Sequence, residues 1–177
     1  MTFKAPDSLS EQIADYLAER IIRGELAPGE RIQEQKVTQA LNVSRGSVRE
    51  ALLILERRHL VAILPRRGAH VTTLDERSVR SLCALMGEFY ILLGNAVAQK
   101  WRTETDLRPF LSIQQRLQQA RDQQDIKAFV AESFAVMRAA YPFADNPYLQ
   151  ETVENLQPAM SRAYYLCLLY TSDAADE

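Results

Sequence analysis

Three residues, Asn42, Val43 and Ser44, are all that separates two helical patterns, and so short a link leaves room only for a tight helix-to-helix turn. Asn is the non-glycine residue that best tolerates the left-handed conformation such a turn needs. Upstream, Gln33–Leu41 reads as a helix with Val37, Ala40 and Leu41 on its inner face. Downstream, Ser44 is placed to cap a helix from Arg45 to about Arg58. Its Val48, Ala51, Leu52 and Leu55 recur at i, i+3, i+4 and i+7, so they form one buried arc.

The flanks complete a small domain. Ser8 or Ser10 can cap a first helix that runs to about Arg23, with Ile13, Leu17 and Ile21 inward. Gly24 ends it, and Pro28 and Gly29 mark the turn that follows. After the third helix, Leu60–Leu64 and Ala69–Thr73 have strand composition, joined by a Pro65–Gly68 tip. The predicted fold is mainly α: residues 1–74 make a winged helix-turn-helix of three helices plus a β-hairpin.

Charge sharpens this reading. The 177-residue chain has a net charge of −2, yet residues 1–74 carry eleven Lys/Arg against nine Asp/Glu, and residues 75–177 ten against fourteen. Within Val43–Thr73 six arginines face two glutamates. A basic segment in an acidic chain points to local contact with a polyanion. A helix that enters a major groove N-terminus first needs small residues in its first turn, and Ser44, Gly46 and Ser47 supply them. Arg45 and Arg49 share the stripe beside the buried arc, where a guanidinium can reach O6 and N7 of guanine. Arg66 and Arg67 would lie along the DNA backbone or a neighbouring groove, with Gly68 permitting close approach. His70, in the hairpin, is a further candidate contact, whereas His59 belongs to the helix-to-wing turn.

The stretch from about Leu9 to Val71 resembles the DNA-binding domain of GntR-family bacterial transcription regulators. The resemblance rests on I-x-x-G-x-L-x-P-G-x-x-I, from Ile21 to Ile32, and on V-S-R-x-x-V-R-E-A-L-x-x-L-E, from Val43 to Glu56. It implies that Arg45 and Arg49 contact operator bases or phosphates, that Ser44, Gly46 and Ser47 sit at the groove, and that Gly68 is the wing glycine. Either Lys36 or Gln35 would give the second helix its DNA contact.

Beyond Leu74 the chain reads as helix throughout: about Val79–Trp101, Thr103 or Thr105 to Arg121, Ile126–Ala140, and a fourth from Asn146-Pro147. The first carries a broad apolar face from Leu82 to Val97. Residues 75–166 are similar to the all-helical FCD-type effector domain of the FadR-like GntR branch. That resemblance implies a small-molecule effector, an organic or sugar acid, and a homodimer on a palindromic double-stranded operator. Many FCD domains also bind a divalent metal through an Asp or Asn and, four residues on, a His; those positions hold Ser133 and Met137 here. The chain's histidines, His59 and His70, both precede this region, so no metal and no cofactor is expected. Apolar residues around Phe89–Leu93 also stand where many relatives place Arg and Glu.

Residues 167–177, Cys167 to Glu177, resemble a translated transposon-end sequencing adapter. The expectation is therefore a fusion scar on an effector bundle that is incomplete, in view, after Leu166. Part of Phe89, Leu92, Leu93 and Val97, or of Leu156, Met160 and Tyr164, should then stand exposed.

Other functional classes find little support. An enzyme would need a catalytic constellation after Leu74, where no His and no nucleophile–base pair is recognisable. No apolar run approaches the ~20 residues of a bilayer span, so no membrane partner is expected. The N-terminus lacks the apolar core of a secretory signal. Cys83 and Cys167 make no disulfide framework, and a reducing cytoplasm is the expected location.

Overall fold

A computed structural model describes residues 8–173, with side chains through Cys167. The chain divides into two units, one ending at Asp75 and one beginning at Glu76.

In the first unit, α1 (Leu9–Ile22) begins with a reciprocal cap. The Ser8 hydroxyl accepts from the Glu11 N–H at 3.2 Å, and the Glu11 carboxylate accepts from the Ser8 N–H at 2.9 Å. Ser8 is thus the cap, whereas Ser10 is buried and donates to Glu50 Oε2 at 2.6 Å. Gly24, at φ 75°, takes the left-handed position after the last turn, which a Cβ would strain. There follow β1 (Arg31–Ile32), α2 (Glu34–Leu41), α3 (Arg45–Arg57), β2 (Val61–Leu64) and β3 (Gly68–Val71).

The expected arc of α3 is the centre of this core. Val48, Ala51, Leu52 and Leu55 are buried with Ile13, Leu17 and Ile21 of α1. Truncating a core Leu such as Leu55 to Ala would cost ~2–5 kcal/mol. Val37 and Leu41 of α2 pack against this core, but Ala40 is exposed, against expectation. An eight-residue helix with no fully buried residue presents a narrow inner face, and Ala40 lies outside it.

The wing is larger than a hairpin. β3 pairs antiparallel with β2 on one side (Val61 opposite Val71, Leu64 opposite Gly68) and with β1 on the other (Arg31 opposite His70, Ile32 opposite Ala69). Ile32, Val61, Ala69 and Val71 face the core, which ties the sheet to the helices.

The second unit contains α4 (Glu76–Lys100), α5 (Glu104–Asp122), α6 (Ile126–Ala144) and α7 (Pro147–Asp173). Thr103 and Asp106 form a capping box on α5, and the Asp125 carboxylate caps α6 by accepting from the Ala128 N–H at 2.9 Å. Asp145, in the left-handed conformation at φ 50°, ends α6. The Asn146 side chain then accepts from the Leu149 N–H at 3.2 Å, with Pro147 at the first position of α7. Met86 and Leu93 of α4, Phe134, Met137 and Ala140 of α6, and Leu149, Val153 and Met160 of α7 make one apolar core. On α5, Ile113 and Ala120 are buried whereas Leu111 faces solvent.

By length and composition alone α4 could cross a bilayer, with a mean hydropathy of 1.5 over 18 residues. Glu88 interrupts it, which is why the sequence shows no unbroken apolar run. Here α4 packs against α6 and α7. Of the stripes expected to stand open, Leu92 and Tyr164 are exposed, Leu93 and Met160 are buried, and Phe89, Val97 and Leu156 are half-buried. The adapter-like segment begins within α7, whose backbone is helical to Asp173; its side chains beyond Cys167 lie outside the described residues.

Candidate nucleic-acid interface

The geometry of the turn follows from Asn42. At φ 52° and ψ 49° it closes α2 in the left-handed conformation, and the N–H groups of Asn42 and Val43 both reach the Thr38 carbonyl. After Val43 and the Ser44 cap, α3 begins at Arg45. The Ser44 hydroxyl accepts from the Ser47 N–H at 3.0 Å and lies 2.9 Å from the Ser47 hydroxyl. The two serines are thus partners of each other as well as members of the first turn. The N–H groups of Arg45 and Gly46 precede the helical ladder and mark its electropositive end.

At Gly46 an added Cβ would meet only the Ser44 hydroxyl, at an ordinary 3.6 Å. Packing within the chain does not require glycine there.

Arg45 and Arg49 are both exposed on α3. The Arg49 Nε donates to Glu34 Oε2 at 2.9 Å, joining α3 to the first residue of α2. Sequence reasoning missed this partner, because nothing local signals a contact between residues fifteen apart. Gln35 and Lys36 are exposed on the first turn of α2.

At the wing tip, Arg66 and Arg67 are exposed, with Arg66 in the left-handed region at φ 60° and Gly68 at φ 83°. Gly68 therefore has a conformational reason to be glycine, besides any close approach. A Cβ on Gly68 would lie 3.6 Å from the Arg31 guanidinium. Arg31 thus belongs to the wing's basic surface, a second residue the sequence did not reveal. The His70 ring is half-buried, with Nδ1 3.1 Å from the Gly29 carbonyl and Nε2 3.3 Å from that of Arg67. Its nitrogens face the wing's own backbone.

The metal positions suggested by the FCD resemblance do not fit a divalent ion. The Ser133 hydroxyl donates to the Phe129 carbonyl at 2.8 Å, and Met137 presents a thioether inside the apolar core. Among the described residues no three His, Cys, Asp or Glu side chains come together as ligands.

A capped, arginine-bearing helix set across a left-handed turn, beside a three-stranded basic wing, defines a winged helix-turn-helix DNA-binding protein. The profile described as "Bacterial regulatory proteins, gntR family" matches residues 9–71, and that of the FCD domain matches residues 69–176. The chain belongs to the GntR family of bacterial regulatory proteins, in its FCD-bearing form, and is a DNA-binding transcription regulator. It is 27% identical over 168 residues to the HTH-type transcriptional repressor RspR of Escherichia coli K12, covering 93% of this chain and 72% of that protein. It is also 27% identical over 149 residues to the regulator McbR of the same strain, covering 84% and 67%. The solved structure of E. coli McbR/YncC superposes with a TM-score of 0.71 at 25% identity, covering 91% of this chain and 76% of that one.

Proposed function

We propose that the protein binds a palindromic operator as a homodimer and that a small metabolite in the helical unit controls this binding. Residues 1–74 read the DNA. The first turn of α3, with Ser44, Gly46 and Ser47, sits against the groove. Arg45 and Arg49 contact base edges or phosphates, and Lys36 touches the backbone from α2. Arg66, Arg67 and Gly68 follow the flanking backbone, with His70 supporting the wing. Residues 75–166 form the effector and dimerisation domain. The observation that carries this reading is the exposure of Arg45 and Arg49 on a helix whose first turn is otherwise built of the small residues Gly46 and Ser47, behind the Ser44 cap.

Operator symmetry mirrors a protein two-fold axis, which favours the dimer. The metabolite acts only through its different affinities for the DNA-competent and incompetent states. The family resemblance makes an organic or sugar acid the expected ligand class, and the protein a cytoplasmic non-enzyme that needs no metal or cofactor.

Selection of binders from a random duplex pool tests the DNA reading. Enrichment of an inverted repeat, lost when Arg45 and Arg49 are replaced, supports it; no enriched sequence overturns it.

A further inference from the structure

The helical unit contains a cavity of about 460 Å³ between α4, α5 and α6, a size typical of small-molecule sites. Its walls include Tyr90, Leu93 and Gly94 of α4, Trp101 just beyond it, Phe110 of α5 and Met137 of α6. Tyr90 and Trp101 bring the only polar side-chain atoms of this lining. The Tyr90 hydroxyl already donates to the Ser133 carbonyl at 3.0 Å. Burial, reinforced by Tyr164, holds its pKa up at about 12, so the phenol stays neutral. Arg162, the buried cation of this unit among the described residues, does not line the cavity.

Gly94 is the second observation. Glycine within a helix costs stability relative to alanine, yet a Cβ at Gly94 would meet nothing within 4 Å. Steric need inside the chain does not explain it. Gly94 lines the cavity, so at this point the α4 wall is bare backbone.

We propose that this cavity is a binding site for an uncharged aromatic molecule of one or two rings. The inference rests on reading the helical unit as an effector domain, and it replaces an acid ligand by an apolar one. A carboxylate entering here would shed its water with no cation in the walls to receive it. An aromatic ring meets suitable partners instead. Phe110 and Trp101 offer ring contacts, the Met137 sulfur suits a ring edge, and Trp101, 43% exposed, stands at the open side.

The test uses the full chain with ¹³C-methyl-labelled methionine and 1-naphthol as probe. We expect saturable displacement of the Met137 methyl resonance, assigned by its loss in Met137→Leu, and no displacement by gluconate or citrate. Gly94→Leu, which adds a bulky side chain at this wall, should weaken naphthol binding at least tenfold with the helical circular dichroism unchanged. Gly94→Ala, which strengthens the helix, should weaken it less and covers the case in which the larger residue misfolds. The proposal is overturned if naphthol leaves Met137 unmoved, if gluconate or citrate moves it as much, or if neither Gly94 variant alters the affinity. It is also overturned if Met137 shifts with protein concentration alone, which would assign the cavity to a contact between two copies. Naphthol that binds as expected but leaves DNA affinity unchanged upholds the site and rejects only the metabolite-control reading.

Discussion

Arg49 Nε donates to Glu34 Oε2 at 2.9 Å, so a carboxylate on α2 orients an arginine on the exposed stripe of α3. With the arginine 68% exposed and the glutamate 37% exposed, the pair adds only ~0–1 kcal/mol to stability. Its consequence is directional. Occupying Nε leaves both terminal nitrogens, the fork that matches O6 and N7 of guanine, aimed elsewhere.

Two effects of Glu34 on DNA binding oppose each other. As a negative charge it repels phosphate, and as a partner it holds Arg49 in one orientation. We expect orientation to win at the specific site: Glu34→Ala should lower affinity for the selected operator by about threefold to tenfold, a fraction of the ~1–3 kcal/mol of a bidentate base contact. Affinity for random duplex should stay level or rise. Fluorescence anisotropy on both duplexes separates the outcomes, and a gain on the operator equal to that on random DNA would refute the positioning role.

The wing makes a different prediction. Arg66 and Arg67 stand at an exposed tip, so they should act on the phosphate backbone. Arg67→Ala should weaken binding evenly across sequences and reduce the salt slope by about one unit. A loss confined to one base position of the operator would show direct base reading instead.

The cap of α3 couples folding to the site. Ser44→Ala removes the acceptor of the Ser47 N–H and should cost ~1 kcal/mol, with Ser44→Gly costing less. Hydrogen exchange across the first turn of α3 measures this locally. Protection equal to that of the unaltered protein would contradict the assignment of the cap.

The helical unit should lose stability in alkali. Burial raises the phenols of Tyr90 and Tyr141 to about 12, aided by Tyr164 and by Glu154 respectively. A phenol with a raised folded pKa holds its proton more tightly when folded. Its contribution is therefore complete below the unfolded value near 10 and disappears as pH climbs from about 10 towards 12. Urea denaturation followed by Trp101 fluorescence should show this decline, and Tyr90→Phe should flatten it. An unaltered slope in that variant would contradict the burial of the phenol.

Which features were legible in the sequence depended on the distance over which each is specified. The Ser44 cap, the Asn42 turn and the Val48–Leu55 arc are encoded within a few residues, and the structure shows all three. The strand Arg31–Ile32 was not legible, because two residues carry no periodicity and pair only when β3 arrives from almost forty positions away. The same distance hid Arg31 as a wing residue. Glu34 gave no sign of Arg49, and Tyr90 gave no sign of the Ser133 carbonyl, since both contacts depend on how helices cross. Leu111 and Ile113 are both apolar, and only the rotation of α5 in the bundle decides which is buried. Met137 illustrates the converse. Sequence placed it where relatives carry a metal ligand, but only the structure sets its thioether in the wall of an apolar cavity.

The most direct test of the central claim is operator affinity of Arg45→Ala, Arg49→Ala and the double variant, measured by anisotropy at moderate salt on the selected inverted repeat. With folding checked by circular dichroism, we expect each single change to weaken specific binding by roughly tenfold or more per half-site, the loss of ~1–3 kcal/mol in base contacts. The double variant should bind operator and random duplex alike. If all three variants bind the operator as tightly as the unaltered protein, α3 is not the element that reads DNA.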